Sequence, residues 1–226
     1  MSGKIIDNLG RSSGLIKAAA GGATSTVAAS TTVGDGTAED TKLVFDGNAQ
    51  DFHIALDDSA DDLVIGLGST PGTTTHMSFD ENGIIGMPLQ PAWSGHLSST
   101  QTIATGTWTK LALATELYDK NNDFDASTNY RFTVPVDGIY LICFNAMFGL
   151  TAGNDAGVAI HVNGSERFRI IDQPGRSGAH WGCNTTAIED LDATDYIEFY
   201  AVHTEGGDDT VTGSKEYTYC MIQKIA

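Results

Sequence analysis

Arg131-Phe132-Thr133-Val134-Pro135-Val136-Asp137-Gly138-Ile139-Tyr140-Leu141-Ile142 is the stretch that decides the fold. The apolar side chains of Phe132 and Val134 alternate with polar ones, which predicts a strand with one buried face. Pro135 lacks a backbone donor and ends this strand, and Asp137-Gly138 has the chemistry of a turn. The sequence therefore predicts a strand, a tight corner and a second strand.

The second strand, 139–144, is an almost unbroken apolar run. A strand that is polar on neither face needs cover on both sides. We therefore expect this strand to lie inside the protein, with apolar neighbours above and below it.

Further strands are expected on both sides of the corner. The runs 158–162 and 166–170 flank Asn163-Gly164, the strongest short signal of a hairpin, because both turn residues tolerate positive φ. Other β-like runs are 108–113, 196–202 and 217–222. No helical periodicity of useful length occurs in this half, so the pattern predicts an all-β sandwich or jelly roll over residues 93–226.

The same half resembles the trimeric globular heads of the complement and tumour-necrosis-factor superfamily. The resemblance covers roughly the last hundred residues, and its phrases are Phe124-Asp125, Phe132-Thr133-Val134-Pro135, Gly138-Ile139-Tyr140, Asn163-Gly164 and Asp195-Tyr196-Ile197. It implies a homotrimer of jelly-roll heads. Thr194 and Tyr219 depart from the pattern, since that family usually has glycine at both places.

Residues 25–92 have a different rhythm, with short β-like runs about every ten residues. The phrases Phe45-Asp46-Gly47-Asn48 and Phe79-Asp80-Glu81-Asn82-Gly83 indicate a weak internal repeat. Units this small hold no core of their own. We therefore expect a trimeric β stem that shares its apolar faces between chains; the alternative is a small sheet packed on the C-terminal domain. The prolines of 88–91 predict an extended linker.

Residues 1–24 form a locally basic arm on an acidic protein. One hypothesis is a disordered tail; the other is an arm that orders against a partner. The second assigns a docking role to Lys4, Ile5, Ile6, Leu9, Arg11, Leu15, Ile16 and Lys17.

Two phrases of the arm and stem are Ile5-Ile6-Asp7-Asn8-Leu9-Gly10-Arg11-Ser12-Ser13-Gly14-Leu15 and Asp40-Thr41-Lys42-Leu43-Val44-Phe45-Asp46-Gly47-Asn48. They resemble segments of fibre-like structural proteins of tailed phages. This resemblance implies an N-terminal segment that docks to a capsid or tail protein, with the C-terminal module projecting outward.

Composition excludes some partners. The formal net charge of -17 over 226 residues argues against nucleic acid, because phosphates repel such a surface. No apolar run is long enough for a membrane helix, and no apolar core follows Lys4, so we expect neither membrane insertion nor a secretory leader. Cys143, Cys183 and Cys220 match no zinc or redox spacing and are expected to be unpaired thiols.

No motif for catalysis, a cofactor or a metal is present, so we expect no enzyme and no cofactor. Asp57-Asp58, Asp61-Asp62 and the acidic run 205–209 are expected to be solvated turns rather than calcium sites. Arg167 and Arg169 alternate on one strand, so both should point to one face. That face is the candidate contact for a host glycan or protein, and the alternative is a solvated face.

These observations together favour a homotrimeric virion protein, either a fibre or a capsid decoration, anchored by the arm with its head toward solvent. A fibre tip that binds a host receptor is the first alternative. A glycan depolymerase is the second, and it predicts grouped carboxylates in a groove.

Overall fold

The computed structural model describes residues 32–150, 153–173 and 179–226, and in these ranges the chain is all β, without a helix. Its strands are β1 Thr41–Phe45, β2 Phe52–Asp57, β3 Asp62–Leu67, β4 Thr75–Phe79, β5 Ile85–Gly86, β6 Ala92–His96, β7 Gln101–Ile103, β8 Thr109–Lys110, β9 Thr115–Asp119, β10 Phe124–Asp125, β11 Arg131–Thr133, β12 Gly138–Leu150, β13 Ala156–Val162, β14 Ser165–Asp172, β15 Ala179–Leu191, β16 Tyr196–His203, β17 Asp209–Val211 and β18 Tyr219–Lys224. The predicted fold class is confirmed. The proposed arm, residues 1–24, lies outside the described residues.

The first five strands form an antiparallel meander in the order β1-β2-β3-β4-β5, which we call the stem sheet. Its register places Ile54 of β2 between Leu43 of β1 and Ile65 of β3. A bulge between Ile65 and Gly66 shifts the pairing with β4. Because the strand number is odd, the chain enters β1 at one end of the sheet and leaves β5 toward the opposite end.

The remaining strands form two antiparallel sheets, which we call the head. One sheet, called the outer sheet here, has the order β10-β11-β16-β13-β14, with β8 also pairing with β16. The other, called the inner sheet, has the order β9-β6-β18-β12-β15, and β17 and β7 continue it along the far half of β12. Both sheets mix strands that are distant in sequence, as in a jelly roll.

The core of the head lies between these two sheets. Trp93 stacks on Phe124 with ring centroids 3.9 Å apart, and Phe144 meets Phe199 edge to face at 5.1 Å. Trp93 is fully buried, as expected of a core anchor. The jelly-roll sandwich that the sequence predicts is therefore confirmed.

The corner at the start of β12 has the expected form. Phe132 and Val134 are buried on one side of it and Tyr140 on the other. The Tyr140 hydroxyl donates a hydrogen bond to the carbonyl oxygen of Val136 at 2.8 Å. Gly138 has φ 151°, and a Cβ there would lie 2.4 Å from the carbonyl oxygen of Ala226. No side chain fits at this position.

Three local features of the head can be compared with the sequence predictions. The hairpin at Asn163-Gly164 joins β13 to β14 as predicted, with φ 53° and 73°. The expected strand over 108–113 is wrong in extent, because only Thr109–Lys110 pairs with β16. Leu111 and Leu113 instead turn into the core as irregular chain. Thr194 adopts φ 77°, a conformation that suits the glycine usual at this place in the resembling family.

Candidate assembly surfaces

The stem sheet has one face made almost entirely of large apolar side chains. Alternation and register bring together Leu43, Phe45, Phe52, Ile54, Leu56, Leu63, Ile65, Leu67, Met77, Phe79 and Ile85. Ile54, at the centre, is 40% exposed, and Leu43 and Phe45 beside it are 54% exposed. We call this surface the stem face. A contiguous apolar surface of this kind marks an interaction site.

The other side of the stem sheet is closed by the chain itself. Residues 68–74 fold back over it, and Ala55 and Val64 beneath are almost fully buried. His53 is buried there too, with Nδ1 2.9 Å from the carbonyl oxygen of Gly68. Lys42 Nζ donates to the carbonyl oxygen of Ser69 at 2.6 Å. The stem sheet thus covers one face internally and leaves the stem face open.

The linker to the head is held by specific contacts. Gln90 Nε2 donates to the carbonyl oxygen of Lys224 at 2.8 Å, and the Lys224 amide donates to the carbonyl oxygen of Pro91 at 3.0 Å. Residues 88–91 are therefore tied to the last strand of the head. The stem and the head keep separate hydrogen-bonded sheets on either side of this linker.

A second open surface is the side of the inner sheet that faces away from the core. On β12, Tyr140, Ile142 and Phe144 point into the core, so Leu141 and Cys143 point outward. Neighbours in register on β15, β18 and β6 complete three rows: Ile188-Leu141-Gln223-Ala92, Thr186-Cys143-Met221-Ser94 and Asn184-Asn145-Tyr219-His96. We call these rows the head face.

The head face carries no Asp, Glu, Lys or Arg in a protein that has 29 acidic residues. Ile188 is 60% exposed, and Met221 and Tyr118 beside the middle row are also exposed. The sequence predicted cover on both sides of this strand, and the chain supplies cover on one side only. The apolar run at 139–144 therefore indicated this surface in the sequence. It could not indicate which residues of β15 and β18 lie beside it.

The solvent side of the outer sheet is polar and internally paired. Glu198 of β16 is 7% exposed and accepts from Lys110 Nζ at 3.0 Å and from the Tyr200 hydroxyl at 3.2 Å. The Arg131 guanidinium lies 4.5 Å from the centre of the Tyr196 ring. This surface combines half-exposed aromatic rings with charges that largely neutralise one another.

His161 lies in the middle of that surface. Its ring stacks on Tyr200 at 4.0 Å, and it stands in register between Glu198 of β16 and Glu166 of β14. Both ring nitrogens are buried without a hydrogen-bond partner among the described residues. Burial lowers the pKa of His161, although the two glutamates oppose that shift.

The two arginines of the predicted host contact do not share a face. A register shift between Ile160 and His161 leaves Arg167 unpaired in β14, and its Nε donates to Glu189 Oε1 of β15 at 3.0 Å. Glu189 is in register with buried Tyr140, so Arg167 reaches the open edge between the sheets. Arg169 points outward and lies 3.4 Å from Glu166. The bulge overturns the simple alternation, while a host contact stays a prediction.

In two of the three acidic runs, carboxylates accept hydrogen bonds from backbone amides of their own turns. Asp57 Oδ1 accepts from the Ser59 amide and hydroxyl, and Asp58 donates its amide to Asp40. In the third acidic run, the side chain of Asp209 accepts from the Thr210 amide. Across residues 32–150, 153–173 and 179–226 there is no group of three His, Cys, Asp or Glu placed to hold a metal ion.

One groove of about 600 Å³ does gather carboxylates, those of Glu116, Asp123 and Asp125. Burial and the nearby Asp119 raise the pKa values of Glu116 and Asp123. The depolymerase hypothesis predicts such a groove. However, Glu116 accepts from the Trp93 indole at 3.2 Å, and Asp125 accepts from the amides of residues 127–129. Glu116 is therefore bound to the buried Trp93 of the neighbouring strand, and Asp125 holds its own loop.

Comparisons with known proteins give fold-level similarities only. No protein-family model and no curated protein matches the sequence. Among solved structures, Eiger TNF from S. frugiperda is 13% identical, with 61% of this chain and 93% of that chain covered and a TM-score of 0.46. Murine APRIL is 16% identical, covering 60% and 99%, with a TM-score of 0.46. The globular domain of zebrafish complement 1qA is also 16% identical, covering 60% and 95%, with a TM-score of 0.42. The jelly-roll assignment rests on strand order and register, not on these values.

Within the described ranges, no helix has the length and apolar character needed to cross a bilayer.

Proposed function

We propose that this protein is a homotrimeric structural component of a phage virion. In this proposal the arm at residues 1–24 docks on a capsid or tail protein, the stem sheet forms a short shaft, and the head faces solvent. The virion is its site of action. The observation that carries the proposal is the stem sheet, which leaves one large apolar face open.

The stem face supports association of like chains. Its side chains are already half buried, so full burial contributes about 1 kcal/mol for each of them. With seven of them exposed, namely Leu43, Phe45, Phe52, Ile54, Leu56, Leu63 and Ile85, the total is large compared with the stability of a small sheet. Two other copies of the same surface offer matching apolar cover without any charge to desolvate.

The head face supports the same symmetry. Its three rows contain no charged residue on a molecule of net charge -17, and the acidic Asp190 lies only in the next row, at their border. Approach of a second copy therefore meets little like charge at the centre of the contact. Burial of Leu141, Ile188 and Met221 against neighbouring heads also gives β12 the cover on both sides that its sequence demands. Stem and head then associate about one common axis.

The virion role rests on the order of the parts and on the resemblance of residues 5–15 and 40–48 to phage fibre-like proteins. A basic, apolar arm, a short β region and an acidic head, in that order along the chain, suit a projection from a particle surface. The acidic head also suits dense display, because like charge keeps neighbouring projections apart.

The test is to purify the phage particles whose genome encodes this chain and to find the protein in them. Mass spectrometry of the particles should detect it, and an antibody against the head should label a defined surface in electron micrographs. Light scattering of the recombinant chain should give three times 23.9 kDa. Absence from the particles refutes the virion role, and a stable monomer at micromolar concentration refutes the trimer.

Host contact through the outer sheet is a second candidate function. It is favoured because that surface stays open when the stem face and the head face are covered, and because it presents Arg131, Tyr196 and Arg169. A glycan array and competition of phage adsorption with the purified protein would test it. Glycan or host binding that survives Arg169→Ala and Arg131→Ala would mean that another surface makes the contact. A protein that binds no host molecule would instead favour the role of a capsid decoration.

A further inference from the structure

The stem sheet has two open edges as well as an open face. β1 is the outermost strand on one side, and no backbone hydrogen bond of the described residues reaches its outer edge. On the other side, β5 pairs only with Ser78 and Phe79, so the first half of β4 is also open. Unpaired strand edges present rows of donors and acceptors to any chain that can add a strand.

The edge at β1 lacks the devices that keep strands apart. It contains no proline, and its only charged residue is Lys42, whose ammonium is bound by Ser69 of the same chain. The edge strands of the head differ in this respect, since β14 carries Glu166, Arg167, Arg169 and Asp172 and β9 carries Glu116 and Asp119. The head edges are protected by charge, and the stem edge is not.

Strand directions make the two open edges complementary. In an antiparallel meander, β1 and β4 run in opposite directions. Rotation about an axis parallel to the strands preserves direction, so the β1 of a neighbouring copy meets β4 antiparallel. The same rotation keeps every stem face turned toward the axis.

The dimensions agree with three copies. Neighbouring strands lie about 4.8 Å apart, so the four strands β1–β4 that contribute at the level of the open half of β4 are about 19 Å wide. Three such sheets joined at their edges enclose a triangle whose sides lie about 5.5 Å from its centre. Leucine, isoleucine and phenylalanine side chains fill that distance, whereas two sheets stacked face to face would leave all four edges unpaired.

We propose that β1 of each copy pairs with the open half of β4 of the next copy, so that three stem sheets close edge to edge around an apolar interior. The partner at this edge is a second copy of this chain, and the proposal rests on the homotrimer proposed above. The stem is then one continuous ring of hydrogen-bonded strands.

Hydrogen–deuterium exchange on the full-length trimer tests the pairing without any assumption about register. The outward amides of β1 should exchange about 100-fold more slowly than those of an open edge strand, such as the outer edge of β14 in the same molecule. Rapid exchange at β1 in a protein that is trimeric by light scattering would overturn edge pairing while leaving the homotrimer intact.

Cysteine cross-linking gives a second readout. In a Cys143→Ser background, Val44→Cys combined with either Thr75→Cys or His76→Cys should give a covalent trimer on mild oxidation, seen on non-reducing gels. The single variants are the controls for the double variants, and they should run as monomers on non-reducing gels. A trimer with neither cross-link and with unprotected β1 amides would refute the edge contact, and a monomer would refute this contact and the proposed homotrimer together.

Discussion

Tyr140 and Val136 close the corner on which the head is built, through a hydrogen bond of 2.8 Å from the Tyr140 hydroxyl to the Val136 carbonyl oxygen. The ring of Tyr140 is fully buried and meets Phe132 edge to face at 6.3 Å. A single residue therefore holds the turn between two strands and fills the core beside it.

Removal of that hydroxyl by Tyr140→Phe should lower the free energy of unfolding by about 1 kcal/mol, because the Val136 carbonyl loses its partner while the ring still packs. Urea unfolding of the full chain measures the change. Tyr118→Phe is the control, since the Tyr118 hydroxyl has no hydrogen bond within the described residues. Equal stability of the two variants would contradict the role of the corner bond.

A charge placed on the stem face should open the stem. In the proposed trimer, Ile54→Lys would bury unpaired ammonium groups in an apolar interior, which costs several kcal/mol. We expect chymotrypsin to cut this variant within residues 41–86, where the wild-type trimer resists. Asp62→Lys puts the same group on the other side of the sheet and should stay resistant. An uncut Ile54→Lys trimer would show that the stem face is not an interior.

The head face allows a matched comparison between two exposed isoleucines. Ile188 lies on the head face at 60% exposure, and Ile171 lies on the solvent side of the outer sheet at 47%. Ile188→Lys should weaken association of the heads, and Ile171→Lys should leave it unchanged. Light scattering over a dilution series measures both. If only Ile171→Lys weakened association, the heads would associate through the outer sheet and not through the head face.

Deletion of residues 1–20 separates assembly from docking. The truncated chain should remain a folded trimer, because no described strand is removed, and it should no longer join the particle. Complementation of a phage that lacks the gene, followed by blotting of purified particles, measures incorporation. Full incorporation of the truncated protein would refute the anchoring role of Lys4, Arg11 and the apolar residues between them.

Acid should weaken the head through His161. Its pKa is lowered in the folded state, so below the usual value of 6.5 the unfolded chain binds a proton that the folded chain does not. This contribution to stability is complete above pH 6.5 and is lost as the pH falls through the folded-state pKa. His161→Phe keeps the stacking on Tyr200 and should flatten the acid side of the stability curve. An unchanged pH profile in that variant would assign the effect to other groups.

Local rules predicted much of the fold. The Asn163-Gly164 hairpin, the corner at Pro135 and the short strands of the stem all follow from turn chemistry and alternation, and each forms as expected. Those rules failed where tertiary context decided the backbone. The bulge opposite His161 separates Arg167 from Arg169, and packing into the core turns Leu111 and Leu113 out of a regular strand.

The sequence could predict the stem face but not the head face, because only the stem face is set by local alternation. Alternation in β1, β2 and β3 names the apolar side chains of the stem face directly from the sequence. The head face needs the register among β15, β12, β18 and β6, and these strands are far apart along the chain. No local pattern could place Ile188 beside Leu141 or Met221 beside Cys143.

The odd number of strands in the stem sheet has a consequence for how such a shaft can change. Gain or loss of a whole hairpin would keep the direction in which the chain leaves the last strand and would change only the width of the sheet. Gain or loss of a single strand would reverse that direction. In the proposed shaft we therefore expect insertions to occur as pairs of strands, and an engineered shaft should be enlarged by that unit.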